Sequence, residues 1–189
     1  MFASRSGKPP DGHGICYWRN GAKKYEGQWK NGNPHGHGLF IDLDGNVFEG
    51  EWQNGQMHGK GMCDTPDGEK YEGDFQNGTM HGNGIFTYPD GEKYEGQWQN
   101  GLMHGKGLTT WPNGQKYEGD YVEGEKHGCG VFTWQNGDKY DGQWQDDMMH
   151  GCGILMDRDY NIIHAGTWVD DEFVQDVRIS YLDQCCVSC

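Results

Sequence analysis

The sequence predicts an all-β chain, an elongated single-layer antiparallel β-meander of repeated hairpins, and three observations carry that prediction. Tyr25, Phe48, Tyr71, Tyr94, Tyr117 and Tyr140 stand 23 residues apart, and each opens a near-copy of Y-E-G-x-W-x-N-G-x-x-H-G-x-G. A fixed period of this length marks a repeat array. Within a repeat, Tyr25, Gly27 and Trp29 share one parity and Glu26 and Gln28 the other. That period-two alternation, with aromatics on one face, is a strand pattern. Finally, 33 glycines punctuate 189 residues. Each costs an α-helix about 1 kcal/mol, so helix is disfavoured throughout.

The elements follow in order. Residues 1–11 form a tail, and residues 12–24 a half repeat in which Gly12-His13-Gly14-Ile15 matches the second half of the unit. Six full repeats occupy 25–47, 48–70, 71–93, 94–116, 117–139 and 140–162. In the first four, the strand from the tyrosine or phenylalanine ends at Asn31-Gly32, Asn54-Gly55, Asn77-Gly78 and Asn100-Gly101. Asn-Gly is a strong hairpin signal because both residues tolerate positive φ. A second strand starts at His35-Gly36, and Asp44-Gly45, Asp67-Gly68, Asp90-Gly91, Asn113-Gly114 and Asn136-Gly137 turn the chain back. Residues 163–184 are a worn capping repeat, in which Ala165-Gly166-Thr167-Trp168 echoes E-G-x-W and Val177–Tyr181 alternates like a strand. Such ends suit an array whose last unit has no neighbour. About fourteen strands at ~4.8 Å give a trough-like rod of about 65 Å. Glycines at the third, twelfth and fourteenth positions are expected to leave room for the rings of a sheet that has no second layer.

Composition narrows the function. Net charge is −14 and the pI is near 4.9, which argues against nucleic acid and against adhesion of the whole surface to anionic lipid. No apolar run approaches the roughly 20 residues of a spanning helix, and residues 1–10 lack a signal-like apolar stretch. Seven cysteines are scattered without a disulfide framework, so reduced thiols in the cytoplasm are expected.

These residues carry a family resemblance. Y-E-G-x-W-x-N-G-x-x-H-G-x-G followed by a D-G turn, recurring in phase over residues 12 to 181, resembles the MORN (membrane occupation and recognition nexus) repeat. The resemblance implies an antiparallel β rod with a groove and a protein-binding scaffold without catalysis. It also implies settings such as membrane junctions, the cytoskeleton and ciliary or flagellar axonemes, of which the last two suit a free-standing array. The chain departs from the pattern in its final unit, where H-G-x-G is missing.

Recurrent residues are read first as structure. His35, His58, His81, His104, His127 and His150 form a column about 9.6 Å apart by strand spacing, too sparse for the four short bonds of zinc. They are expected to bond backbone or carboxylate beside the turn, with no metal and no cofactor. Gly59-Lys60-Gly61 and Gly105-Lys106-Gly107 lack the spacing of a phosphate loop. Glu26, Glu49, Glu72, Glu95, Glu118 and Asp141 are expected on a solvated face, partnered by Lys23, Lys24, Lys70, Lys93, Lys116 and Lys139. No residue stands out as catalytic.

The aromatic columns are more selective. Trp29, Trp52, Phe75, Trp98, Tyr121, Trp144 and Trp168 hold the fifth position, mostly for packing. Trp18, Tyr88, Trp111 and Trp134 hold the eighteenth, where Asp42, Thr65 and Asp157 also occur. Variation inside a repeat is where specificity can reside. Tyr88, Trp98, Trp111, Tyr121, Trp134 and Trp144 are therefore the expected partner-binding set, a groove for a helical or extended protein segment. Met57, Met80, Met103 and Met149 offer an adaptable rim or ordinary turn packing. Cys186-Val187-Ser188-Cys189 fits C-a-a-X, which makes Cys185 and Cys186 lipidation candidates and a membrane-anchored adaptor the alternative function. Open edge strands leave room for self-association.

Overall fold

The computed structural model describes residues 10–176, and among them there is no helix. The chain divides into two compact units, Met1–Pro89 and Asp90–Cys189. The first contains β1 (Gly12–Tyr17), β2 (Lys23–Lys30), β3 (Asn33–Ile41), β4 (Val47–Gln53), β5 (Gln56–Asp64), β6 (Lys70–Gln76) and β7 (Thr79–Thr87). The second contains β8 (Lys93–Gln99), β9 (Leu102–Thr110), β10 (Lys116–Val122), β11 (Glu125–Thr133), β12 (Lys139–Gln145), β13 (Met148–Met156), β14 (Ile162–Val169) and β15 (Glu172–Asp176). Within each unit every strand pairs antiparallel with its sequence neighbours, so the fold is an all-β meander of hairpins. The last described strand, Glu172–Asp176, precedes the expected Val177–Tyr181 segment, which lies outside the described residues along with Cys185 and Cys186.

The hairpins turn where Asn-Gly stands, and the second strands begin earlier than the histidine, at Asn33 in β3 and Gln56 in β5. Asn31 and Gly32 both take positive φ, 52° and 70°, the signature of a tight two-residue hairpin turn. Three turns keep this geometry without Asn-Gly: Glu123-Gly124, Asp146-Asp147 and Asp170-Asp171. There the side chains help. Asp147 Oδ1 accepts from the Lys126 amide at 3.0 Å, and Asp171 Oδ1 from the Met149 amide at 2.7 Å.

Each hairpin also carries a bulge. Gly27 faces Gly38, yet Trp29 already faces Pro34, so β3 holds two more residues than β2 across that step. The twelfth-position glycine sits in the bulge with φ near +60°, as at Gly36, Gly82 and Gly128. It makes the bulge rather than room for the rings, which corrects the expectation for that position. The amide that follows it is held by the fourth-position side chain: Asn83 donates to Asp74 Oδ2 at 2.9 Å and Cys129 to Asp120 Oδ2 at 3.0 Å.

The core is a ladder of rings on one face. Tyr25, Tyr94, Tyr117 and Tyr140 are fully buried. Each tyrosine is bracketed edge-on by the fifth-position ring of its own repeat and of the next. Tyr117 lies 5.2 Å from both Tyr121 and Trp144, and Tyr140 lies 5.2 Å from Trp144 and 5.3 Å from Trp168. Such pairs add about 0.5–1.5 kcal/mol beyond area burial. The tyrosine hydroxyl crosses over the facing third- and fourteenth-position glycines and donates to the fourth-position carbonyl, as Tyr94 does to Gln97 at 2.8 Å. The tryptophan Nε1 donates back to the preceding hairpin: Trp52 to the Gly38 carbonyl at 2.9 Å and Trp144 to the Gly130 carbonyl at 3.0 Å. Burial pushes the Tyr25 and Tyr94 hydroxyls up to about 12.

Candidate functional site

The six aromatic residues singled out by sequence divide into two groups. Trp98, Tyr121 and Trp144 are 3–5% exposed and belong to the core ladder. Tyr121 also closes a buried hydroxyl pair with Thr109 at 2.6 Å. These rings are consumed by packing and present little surface. Tyr88, Trp111 and Trp134 are half-buried. Tyr88 lies in the first unit, tilted against Phe86 at 4.6 Å. In the second unit, Trp111 and Trp134 flank Phe132 at 5.6 and 5.0 Å, forming a continuous half-exposed ridge. Beside it, Lys126 reaches over Phe132 and Trp144, its Nζ 5.5 and 5.0 Å from their centroids and 3.6 Å from Asp147 Oδ1.

The first unit has a notch where the second has a ridge. Phe40 and Trp52 meet at 5.9 Å, as Phe132 and Trp144 do at 6.1 Å. In between, Cys63 takes the sixteenth position, Phe75 the fifth and Thr65 the eighteenth. The lost volume leaves an apolar recess of about 260 Å³ lined by Phe48, Cys63, Tyr71, Phe75, Met80 and Phe86 among others. Where the eighteenth residue is Asp, it shapes its own turn. Asp42 Oδ1 accepts from the Asp44 and Asn46 amides, and Asp157 Oδ1 from those of Asp159 and Asn161, all at 2.8–2.9 Å. Met57 is buried opposite Trp52, which is ordinary packing.

The opposite face differs from expectation. Of the lysines assigned to the recurrent carboxylates, Lys23 bonds Glu26 at 2.6 Å and Lys93 approaches Glu95 at 3.6 Å. Lys70 turns to Asp64 at 2.7 Å, Lys24 lies 4.4 Å over the Trp18 ring, and Lys139 donates to the Tyr160 hydroxyl at 2.6 Å. The Gly-Lys-Gly lysines pair instead with fourth-position carboxylates, Lys60 with Asp74 at 2.7 Å and Lys106 with Asp120 at 2.8 Å. Burial raises the Asp74 carboxyl, but the Lys60 ammonium and the Asn83 amide outweigh it and hold it below the usual range.

The histidines are also less uniform than expected. The buried Nδ1 of His35, His58 and His150 has no hydrogen-bond partner among the described residues. His127 and His150 lie 3.8 and 3.4 Å from Asp146 and Asp170. Among the described residues, these late turns put an aspartate beside the ring, where the earlier turns carry Asn54, Asn77 and Asn100. No cluster of three or more His, Cys, Asp or Glu able to hold a metal occurs among the described residues. Cys16 and Cys63 are free thiols.

Sequence reasoning missed a third column. Leu39, Met62, Ile85, Leu108, Val131 and Ile154 hold the fifteenth position on the face away from the tyrosines. In the second unit they border a shallow concavity of about 630 Å³, lined by Glu95, Leu108, Glu118, Cys129, Val131 and Asp141 among others. Its signal was the aliphatic residue that follows every H-G-x-G.

The MORN repeat matches residues 6–23, 25–47, 48–70, 71–93, 94–116, 117–139 and 140–162, seven consecutive stretches in register with the hairpins. The chain belongs to the MORN repeat family. Among solved structures it is similar to the TCP10c domain of Drosophila melanogaster Sas-4, at 12% identity over 66% of this chain and 82% of that one, with a TM-score of 0.38. A second is the Drosophila melanogaster SAS-4 TCP domain in complex with a proline-rich motif of Ana2, at 11% identity over 86% and 88% of the two chains, with a TM-score of 0.43. Likeness at that level carries nothing over to this MORN chain.

Proposed function

We propose that this MORN-repeat chain is a non-catalytic protein-interaction scaffold that captures a segment of a partner protein on the aromatic face of its second unit. Membership of a repeat family built for extended surfaces supports the scaffold reading. The observation that carries the site is the half-exposed ridge Trp111–Phe132–Trp134, which stands on core rings that are themselves fully packed. Aromatic side chains on a rigid base are favoured anchors at interfaces. Trp98, Tyr121 and Trp144 then serve by fixing that base, and Tyr88 offers a lesser contact in the first unit. The proposed setting is a ciliary or flagellar axonemal complex or another cytoskeletal assembly, on family resemblance.

The test is affinity capture from ciliated cells with the wild-type chain and with Trp111→Ala/Trp134→Ala. A stoichiometric protein partner retained by the wild type and lost with the double variant is expected. No stoichiometric partner, or undiminished capture by the variant, contradicts the proposal.

A further inference from the structure

The face opposite the aromatic ladder carries a second periodic pattern. In the second unit, Leu108 pairs with Glu95 on one side and Glu118 on the other, and Val131 pairs with Glu118 and Asp141. Ile154 continues beyond Asp141. The row therefore reads Glu95, Leu108, Glu118, Val131, Asp141, Ile154 across six neighbouring strands. Strand spacing of ~4.8 Å puts the carboxylates about 9.6 Å apart, with an aliphatic residue midway, over about 24 Å in all. The three acidic residues are exposed and the aliphatic ones half-buried.

The charges on this row are unanswered. Glu118 and Asp141 have no ion pair among the described residues, and Glu95 has only Lys93 at 3.6 Å. Lys106, the cation on the wall of the concavity, is held by Asp120 at 2.8 Å. Although Asp141 is exposed by area, desolvation within the concavity pushes its carboxyl above the ordinary range. The corresponding concavity of the first unit is smaller, about 290 Å³. Its leading carboxylate Glu26 is bonded by Lys23 at 2.6 Å, and His13 and His37 join its lining.

We propose that this acid–aliphatic row of the second unit is a docking surface for a cationic amphipathic α-helix of a partner protein. The proposal rests on the scaffold reading but places a second contact on the other face. The spacing selects the helix. Residues i and i+7 of an α-helix share a face about 10.5 Å apart, and i+3 and i+4 lie between them at about 4.5–6 Å. Lysine or arginine every seventh residue meets Glu95, Glu118 and Asp141, and apolar residues at i+3 and i+4 meet Leu108 and Val131. An extended strand repeats its face at about 6.6 Å. A polyproline helix presents one residue per ~9.3 Å and none midway. Neither matches both periods. About sixteen residues of helix span the row.

The test uses the full chain and a synthetic helical peptide of about three heptads, with lysine opening each heptad and leucine three and four residues later. Its controls are the same composition scrambled and a glutamate-for-lysine version. Binding is read by calorimetry at low and physiological salt. The expected result is binding of the patterned peptide only, weakened at least about tenfold by Glu118→Lys, with Leu108→Ser also weakening it and Trp111→Ala/Trp134→Ala leaving it unchanged. Equal binding of the scrambled peptide, indifference to Glu118→Lys, or self-association of the chain in place of peptide binding overturns the proposal. Because the tryptophan variant spares this site and abolishes the ridge, failure of either reading is distinguishable from failure of the other. Thermal melts of Glu118→Lys confirm that the variant folds.

Discussion

The two units are written in one repeat yet finish their surfaces differently. In the second, the tyrosine, the fifth-position ring and the sixteenth-position side chain are matched in volume: Phe132 meets Trp144, and where Tyr121 replaces tryptophan, Thr109 supplies both space and a hydroxyl 2.6 Å away. The eighteenth-position indoles Trp111 and Trp134 then have a full platform to stand on. In the first unit Phe48 replaces a tyrosine, Cys63 replaces a phenylalanine and Phe75 replaces a tryptophan, and the platform opens into a recess. The difference teaches that the repeat period fixes the backbone, while complementary choices at positions five, sixteen and eighteen decide whether a face is filled, notched or ridged. Packing this close punishes mismatch in either direction.

The largest expected effect is alkaline destabilisation. Burial raises the tyrosine hydroxyls, to about 12 for Tyr25 and Tyr94 and further for Tyr71, Tyr117 and Tyr121. A raised folded-state value means stability is complete below the unfolded value near 10 and is lost as pH climbs through the folded one, about 1.4 kcal/mol per pH unit per tyrosine. Among the described residues, Tyr94, Tyr117 and Tyr121 of the second unit are raised in this way, with Tyr25 and Tyr71 in the first, so hydrogen exchange between pH 10 and 12 should show the second unit opening first. The reverse order would break the comparison.

Glycine replacements come next. In Gly130→Ala the new methyl overlaps the Tyr117 hydroxyl and ring, and about 3 kcal/mol of stability should be lost in urea denaturation. In Gly61→Ala it meets mainly the flexible end of Met57, because Phe48 carries no hydroxyl, and a loss of about 1 kcal/mol is expected. Thr109→Val, which strands the buried Tyr121 hydroxyl, should cost about 1–2 kcal/mol. Installing the filled pattern in the first unit with Cys63→Phe/Phe75→Trp should stabilise it by about 1 kcal/mol and close the recess. The smallest effect belongs to Lys60→Ala and Lys106→Ala, equivalent exposed ion pairs in the two units. Each should change stability by about 0.5 kcal/mol or less.

Much of this fold is legible in the sequence. The 23-residue period gave the hairpin boundaries, the parity gave the aromatic face, and Asn-Gly gave four turns. Glu123-Gly124, Asp146-Asp147 and Asp170-Asp171 were not legible, because aspartate and glutamate reach positive φ only with help that the fold supplies, such as the Lys126 and Met149 amides bonded to Asp147 and Asp171. The role of the twelfth glycine was misread because a bulge is a property of pairing, not of one strand. Trp98, Tyr121 and Trp144 look like Trp111 and Trp134 in composition, and only burial separates core from ridge. The fifteenth-position column was not legible as a surface because only strand pairing sets Leu39 beside Glu26 and Val131 beside Glu118.

The most direct test of the scaffold account is cross-linking mass spectrometry of the native complex from ciliated cells, with lysine-reactive reagent. The account predicts a stoichiometric partner whose cross-links concentrate on the second unit, at Lys116, Lys126 and Lys139. Cross-links confined to the first unit, or a chain recovered without any stoichiometric partner, would contradict it.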